Sequence, residues 1–399
     1  MIPKLKPCLG LAELLASIHL PKKDDVSRFE IAFAREMQQK HAIAFPYGRT
    51  ALIVILKALG LKGKEVICPA YTCVVVAHAI VESGNNPVFI DSKETDGNMD
   101  LEQLPKSISE RTGAIIATSI FGHPCNLDLL DQFRADFGND IPIIQDCAHS
   151  FGAEWKGRPV QQYGLCAFLG LNVSKIITSI FGGMVTTDDD DFAEKLRLVR
   201  EEYVQPGSWL KSIRRLLYLL ALYPTFWEPL YFLVAWLDRI GALNYFTQYY
   251  MEDEITIPYD FREGMTGIEA RVGKVQLKRY KEIIASRRKY ASYYQEHLKD
   301  FKSAQLFPLF DGSTYSHILA LVASRADVMK RASERGVQLG QVIEYSIPLM
   351  KAYRNSVNAE KNFPVSKRFS DCVINLPVSG CFREQNAAKT VEIMKELFR

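Results

Sequence analysis

The sequence predicts an α/β protein: a mostly parallel central sheet covered by helices, a smaller α+β domain at the C-terminal end, and an apolar helical insertion between them. Three observations carry this. Between residues 41 and 190, short β-branched runs alternate with segments that are apolar at helical spacing, the pattern of strands joined by crossover helices. The runs are nearly continuous in apolar residues, as strands covered on both faces must be. After residue 265 the pattern changes to a long, charged, amphipathic stretch, GIEARVGKVQLKRYKEIIASRRKYASYYQEHLKD.

Each element follows from its own residues. VICPA, PVFIDS, AIIATSIFG, IPIIQDCAHS and GMVTTDD read as strands, each bounded by Gly, Pro or Asp. ALIVILKALG, VVVAHAIVESG and LDLLDQFRADFG read as the helices between them, each stopped by Gly. We divide the chain into an N-terminal arm with the large α/β domain over 1–205, an apolar helical insertion over 206–260 and the C-terminal α+β domain over 261–399.

Composition narrows the function. The 399 residues are 48% hydrophobic and 24% charged, which describes a folded chain rather than a disordered one. Basic and acidic residues number 49 and 46, for a net charge of +3, and both signs are scattered, which argues against nucleic acid as a partner. Eight cysteines stand singly, with neither a C-x-x-C pair nor Cys/His spacing for zinc. With no continuous apolar core in the first twenty residues, the expectation is a cytoplasmic protein with reduced thiols. No G-x-G-x-x-G follows a strand and no Gly-Lys-Ser/Thr ends a loop, so a nicotinamide dehydrogenase and a P-loop enzyme both fail.

Three elements carry chemistry. The run ending in Asp146 puts a carboxylate just past the end of a parallel strand, where ligands bind in such sheets; a helix cap is the alternative. His149 follows three residues later. Ser174–Lys175 lies in an apolar run, CAFLGLNVSKIITSIFGGM, where a lysine is unfavourable unless its pKa falls or it condenses with an aldehyde. Gly48, Arg49 and Thr50 open an apolar-periodic helix whose free N–H groups could hold a phosphate, although most such turns are simple caps. Together these suit pyridoxal phosphate: phosphate on the helix end, Asp146 facing the pyridine nitrogen, Lys175 on the aldehyde carbon.

With these elements in place, the chain resembles the DegT/DnrJ/EryC1/StrS sugar aminotransferases, pyridoxal-phosphate enzymes of fold type I. The resemblance runs through HAIAFPYGRTAL, KGKEVICPAYTCVVVAHAIVESGNNPVFIDS, IIQDCAHSFGAEWKGRPV, NVSKIITSIFGGMVTTDD, GMTGIEARVGKVQLKRYKEII and VINLPVSGCFREQN. It implies that Asp146 pairs with the pyridine nitrogen, His149 lies near the ring, Ser174 contacts the phosphate and Lys175 forms the Schiff base. Some members carry histidine in place of that lysine and dehydrate; Lys175 favours amino transfer. The implied reaction is ping-pong, with glutamate as usual donor and a nucleotide-linked keto-deoxy sugar as acceptor, in a homodimer with shared active sites. The same fold acting on another ketone, a cyclitol or polyketide-pathway precursor, and a catalytically silent membrane-associated relative are the alternatives.

Two departures from the family stand out. An aromatic that usually stacks on the cofactor is replaced in PAYTC by Cys73; either Tyr71 supplies the stacking or the cofactor is held differently, and cofactor affinity is the property affected. In DFREGMT, where the family has an Asn reaching the neighbouring subunit's phosphate, Arg262 aligns; it either takes over that contact or is a solvated surface residue. Asp188 to Asp191 fit a turn and an acidic helix start better than a metal site. His123 reads as a loop histidine, Cys147 as a buried structural thiol, and His317 as a residue that could face substrate.

The insertion contains WLKSIRRLLYLLALYPTFWEPLYFLVAWLDRIGALNYF, broken by Pro224 and Pro229 into pieces too short and too charged to span a bilayer. Two readings of 208–250 stay open: a helical hairpin packed on its own domain or an oligomer interface, and a peripheral contact with the inner face of a membrane.

Overall fold

The computed structural model describes residues 1–228, 231–240, 254–358 and 361–399, so Pro229 and residues 241–250 of the predicted insertion lie outside the described residues. In chain order the strands are β1 (His41–Phe45), β2 (Glu65–Pro69), β3 (Asn86–Ile90), β4 (Thr112–Thr118), β5 (Ile143–Asp146), β6 (Glu154–Trp155), β7 (Arg158–Pro159), β8 (Cys166–Gly170), β9 (Gly183–Thr187), β10 (Ala304–Leu306), β11 (Ile318–Val322) and β12 (Val373–Leu376). The helices are α1 (Leu11–Ile18), α2 (Asp25–Glu36), α3 (Gly48–Ala58), α4 (Val75–Glu82), α5 (Leu127–Phe137), α6 (Asp190–Tyr203), α7 (Trp209–Thr225), α8 (Tyr231–Arg239), α9 (Gly267–Leu277), α10 (Tyr280–Leu298), α11 (Arg325–Glu334), α12 (Pro364–Cys372) and α13 (Glu384–Leu397).

The large sheet has the strand order β1-β9-β8-β5-β4-β2-β3. Parallel ladders join β3, β2, β4, β5 and β8, and β9 runs against both of its neighbours. Successive residues of one strand feed opposite faces. On β4, Ala114 and Ile116 enter one core with α3, α4 and α6. Ile115 and Ala117 enter the other, with Phe29 and Phe33 of α2 and Leu130 and Phe133 of α5. A strand buried on both sides has to be apolar at every position, which is why these runs carry no alternation.

The second sheet is antiparallel, in the order β10-β11-β12, and packs with α10, α11 and α13 through Tyr294, Ile374 and Met394. Two boundaries differ from the expectation. The charged stretch 267–300 is two helices, α9 and α10, separated at Lys278 and Arg279. Ala270 and Leu277 of α9 join the core of the large sheet, so the C-terminal layer starts within α10. The N-terminal arm crosses the other way, since Ile2 pairs with Val337.

Helix α7 starts on Ser208, whose Oγ accepts the Lys211 N–H. Its inner stripe, Lys211, Arg215, Leu219 and Leu222, is buried against Ile180 and Val272. Its outer stripe leaves Trp209, Leu210, Ile213, Leu217 and Leu220 exposed, as are Phe232, Leu233 and Trp236 of α8. Among the described residues, no helix is long and apolar enough to cross a membrane.

Candidate active site

Strand β5 ends on Asp146, level with Thr118 at the end of β4. The carboxylate is buried; Oδ1 accepts the Ala148 N–H at 3.0 Å and Oδ2 the Thr118 hydroxyl at 3.3 Å. Burial pushes the carboxyl above its usual range, while the Ala148 N–H and the nearby Lys175 charge pull it back.

Lys175 stands on the loop between β8 and β9. Asn172 shapes this loop: its Oδ1 accepts from Ser174 N–H at 3.0 Å and Ser174 Oγ at 2.6 Å, and its carbonyl accepts the Lys175 N–H at 3.1 Å. Lys175 is half-buried, and burial lowers its pKa against the opposing effects of Cys73 and Asp146. Among the described residues, nothing hydrogen-bonds its Nζ.

His149 and His317 meet from opposite domains, with ring centroids 5.0 Å apart. The Phe121 N–H donates to His149 Nδ1 at 3.4 Å, which leaves the proton of the neutral ring on Nε2. Burial, then Lys175 and His317, holds His149 well below an ordinary histidine; burial first also takes His317 down to about 3. Both are neutral near pH 7. Their seat is the turn at Phe121 and Gly122, both at positive φ (61° and 88°). A Cβ on Gly122 would come within 2.8 Å of the Tyr315 and Ser316 nitrogens, so glycine permits this close approach. On the far side, Arg287 Nη1 holds the Tyr315 and Ser316 carbonyls at 3.1 and 2.9 Å.

At the third corner, α3 opens on Gly48. Its first internal bond runs from the Ala51 N–H to the Tyr47 carbonyl, so the Gly48, Arg49 and Thr50 N–H groups have no partner within the helix. Gly183 presses on this corner: a Cβ there would lie 2.4 Å from the Tyr47 carbonyl carbon. Tyr47 itself is fixed from α7. Its hydroxyl donates to Asp260 at 2.7 Å and accepts from Arg215 at 2.9 Å, and Arg215 also reaches Asp260 at 2.8 Å and Glu269 at 2.9 Å. These partners come from segments too far apart in sequence for any local motif to announce them.

The structure thus brings Asp146, Cys73 and His149 within electrostatic reach of Lys175, with the start of α3 and the Lys175 side chain both against Gly170. Other predicted residues are engaged elsewhere. The Thr50 hydroxyl donates to the Phe261 carbonyl at 2.7 Å, and the Arg49 guanidinium to the Thr256 carbonyl, so only their backbone is free to hold an anion. Tyr71 is fully buried, its hydroxyl on the Ile343 carbonyl and its ring between Phe121 and Phe369, which leaves it no face for a stacked ligand. Arg262 lies on the surface, 4.2 Å over the Tyr203 ring, with Nη2 3.3 Å from that hydroxyl. Asp189 caps α6 through the Phe192 N–H at 2.8 Å, and Asp190 pairs with Lys40. His123 is buried and bonded to the Asp96 carbonyl. His317 is the site residue whose sequence signal was weakest, a histidine opening a strand far along the chain.

This donor set has three ends: helix N–H groups suited to a phosphate, a buried carboxylate suited to a protonated ring nitrogen, and an uncommitted amine suited to an aldehyde. A GDP-perosamine synthase of Caulobacter vibrioides is 31% identical over 275 residues, 68% of this chain and 62% of that one. The Vibrio cholerae GDP-perosamine synthase is 26% identical over 361 residues, 88% of this chain and 85% of that one. This chain spans less than two thirds of the length of several of the curated relatives it matches. Among solved structures, S. venezuelae DesV in complex with a ketimine intermediate shares the fold, with a TM-score of 0.77 at 21% identity over 98% of this chain and 93% of that one. The model of the DegT/DnrJ/EryC1/StrS aminotransferase family matches residues 10–221 and 225–395. With that span, and with the lysine and carboxylate of the fold placed as described, the chain belongs to the DegT/DnrJ/EryC1/StrS aminotransferase family.

Proposed function

We propose that the protein is a pyridoxal-phosphate-dependent aminotransferase that moves an amino group, with glutamate as donor, to the ketone of a nucleotide-linked keto-deoxy sugar. The observation that carries this is Lys175: a lysine with lowered pKa beside a buried carboxylate, with no hydrogen bond to hold its Nζ. The sugar half of the reading draws on the relatives named for GDP-perosamine synthesis.

In this reading the Gly48, Arg49 and Thr50 N–H groups hold the phosphate, joined by the Ser174 hydroxyl once it turns from Asn172 Oδ1, and Asp146 holds a proton on the ring nitrogen. When bound, pyridoxal phosphate supplies an aldehyde for the amine and an electron-withdrawing ring. Lys175 Nζ, kept neutral more readily by burial, is the base that takes a proton and returns it. His149, oriented by the Phe121 N–H, carries its proton on Nε2, and neutral His149 and His317 add no charge to compete with the Asp146 pairing.

Titration of the purified protein with pyridoxal phosphate tests this: visible absorption is expected to appear, to bleach with glutamate, and to return with the accepting nucleotide sugar. A protein that stays colourless with added cofactor would overturn the reading.

We also propose that the outer stripe of α7 and α8 rests on lipid at the inner face of a membrane. Trp209, Trp227 and Trp236 are exposed beside leucines, the side chains favoured at a bilayer interface. Deleting 208–250 would remove Lys211 and Arg215 from the core, so the test is liposome flotation of a variant with the three tryptophans changed to Gln. The unaltered protein is expected to float and the variant to stay below; equal recovery of both in the soluble fraction sinks the idea.

A further inference from the structure

A cavity of about 270 Å³ opens where the C-terminal end of α2, the β6-β7 hairpin and the first turns of α10 meet. None of its lining residues belongs to the set around Lys175; Gly152, the nearest in sequence, follows His149 by three positions. Glycine keeps this wall back, since at its φ of 73° a Cβ on residue 152 would stand 3.2 Å from Ile284 and 3.3 Å from Tyr280. The lining carries both signs of charge, and not all of it is spent. Glu36 pairs with Lys281 at 3.4 Å. Arg288 gives its Nε to the Ser313 carbonyl at 2.7 Å, and among the described residues neither Arg288 nor Glu154 has an ion-pair partner. Gln162 is committed, its Nε2 donating to the Met37 and Gln38 carbonyls at 3.1 and 3.3 Å. Gln161 is not: it is 5% exposed, and its Oε1 has no hydrogen-bond partner among the described residues.

We propose that this cavity is a binding site for a free α-amino acid, held as its zwitterion. A lone anion there would meet Glu154 and a lone cation would meet Arg288. A zwitterion places its ammonium with Glu154 and its carboxylate on the Arg288 guanidinium, so both uncommitted charges are answered by one small molecule. The end of α2 adds to the same polarity, because the last carbonyls of a helix carry partial negative charge and favour a cation. The ammonium also supplies the donor that the Gln161 carbonyl lacks, since a turn about the last torsion of the amide swings its oxygen round.

Shape and size fit the same class. Ile284 and Arg288 stand one turn apart on one face of α10, so a ligand whose carboxylate reaches the guanidinium lays its side chain along Ile284, with Ala285 and Met37 beside it. Sites for drug-sized ligands start at about 300 Å³, which makes this cavity too small for a nucleotide-linked sugar and large enough for an amino acid. Glu154 and Arg288 are both exposed, so water competes for them and binding weakens as salt is added.

Isothermal titration of the full chain with L-leucine tests this, beside isocaproate and isoamylamine, which keep the leucine side chain but carry only the carboxylate or only the ammonium. L-leucine is expected to bind saturably, at least about tenfold tighter than either analogue. Glu154→Gln and Arg288→Gln are each expected to weaken it at least about fivefold. Ala285→Trp fills the cavity from an exposed position on α10, and is expected to abolish binding with the urea midpoint unchanged. No saturable heat with L-leucine, equal affinity for the three compounds, or leucine binding retained in Ala285→Trp, which would place the ligand elsewhere, would each overturn the proposal.

Discussion

Two lysines with lowered pKa show how differently the pocket and the insertion use burial. Lys175 and Lys211 both stand in apolar runs, and burial is the largest cause of the shift in each. Lys211 is 0% exposed, but its Nζ donates to the Gly264 carbonyl at 3.0 Å and to that of Glu263, and lies 4.0 Å from Glu269. Lys175 Nζ has no hydrogen bond among the described residues, and its shift is opposed by Cys73 and Asp146. A shifted pKa alone does not separate a structural amine from a reactive one; the hydrogen bonds do. The regions also touch, because Val173 and Phe181, flanking the Lys175 segment, join the cluster behind which α7 packs.

The sharpest way to break this comparison is to remove each amine. Lys175→Ala is expected to lower amino transfer by at least about 10⁴-fold and to abolish the visible absorption with pyridoxal phosphate, with urea stability nearly unchanged. Lys211→Met is expected to leave the absorption and to cost about 2–4 kcal/mol, because two part-buried carbonyls lose their donor and buried Glu269 loses a nearby charge. Variants that exchanged these outcomes would reverse the assignment.

Arg215→Leu comes next. It leaves Asp260 buried without its ion-pair partner and Glu269 with Lys211 at 4.0 Å in place of the Arg215 hydrogen bond, a loss of about 3–5 kcal/mol, read as a lower urea midpoint at constant slope. Because Arg215 fixes Tyr47 at the start of α3, the same variant is expected to bind pyridoxal phosphate more weakly even where it remains folded. Tight cofactor binding in folded Arg215→Leu protein would separate the insertion from the site.

These effects mark the limit of what sequence could carry. The parallel sheet was legible because burial on both faces forces continuous apolar runs, and Asp146 and Lys175 because a charged residue in such a run needs a reason. The split at Lys278 and Arg279 was not, since both halves keep helical spacing across it. Nor was the replacement of Thr50 and Arg49 side chains by their backbone, which depends on where residues 256 and 261 arrive in space. The insertion's composition announced an apolar surface, but not that Lys211 and Arg215 face inwards, since flanking and buried basic residues look alike in a helical run.

A pH series sharpens the electrostatic side. Burial lowers the Lys175 pKa from its usual 10.5, so the free amine, and the rate of cofactor condensation with it, rises with pH with a midpoint below that value. The Asp146 charge opposes this by favouring the ammonium, so Asp146→Asn is expected to move the limb further to the acid side. Absorbance stopped-flow across the range checks it; a shift to the alkaline side would show that the two groups do not interact as placed.

The smallest effects belong to the outer face of α7. Trp209 is 74% exposed, and Trp209→Gln is expected to change stability by no more than about 0.5 kcal/mol. Leu219, fully buried against Ile180 and Val272 on the opposite side of the same helix, is expected to cost about 2–4 kcal/mol when changed to Ala. Urea midpoints of the two variants read the contrast directly. If Trp209→Gln were as damaging as Leu219→Ala, the stripe would be part of the fold's own core. If both were mild, α7 would not brace the Lys175 loop, and the link between the insertion and the pocket would fail with it.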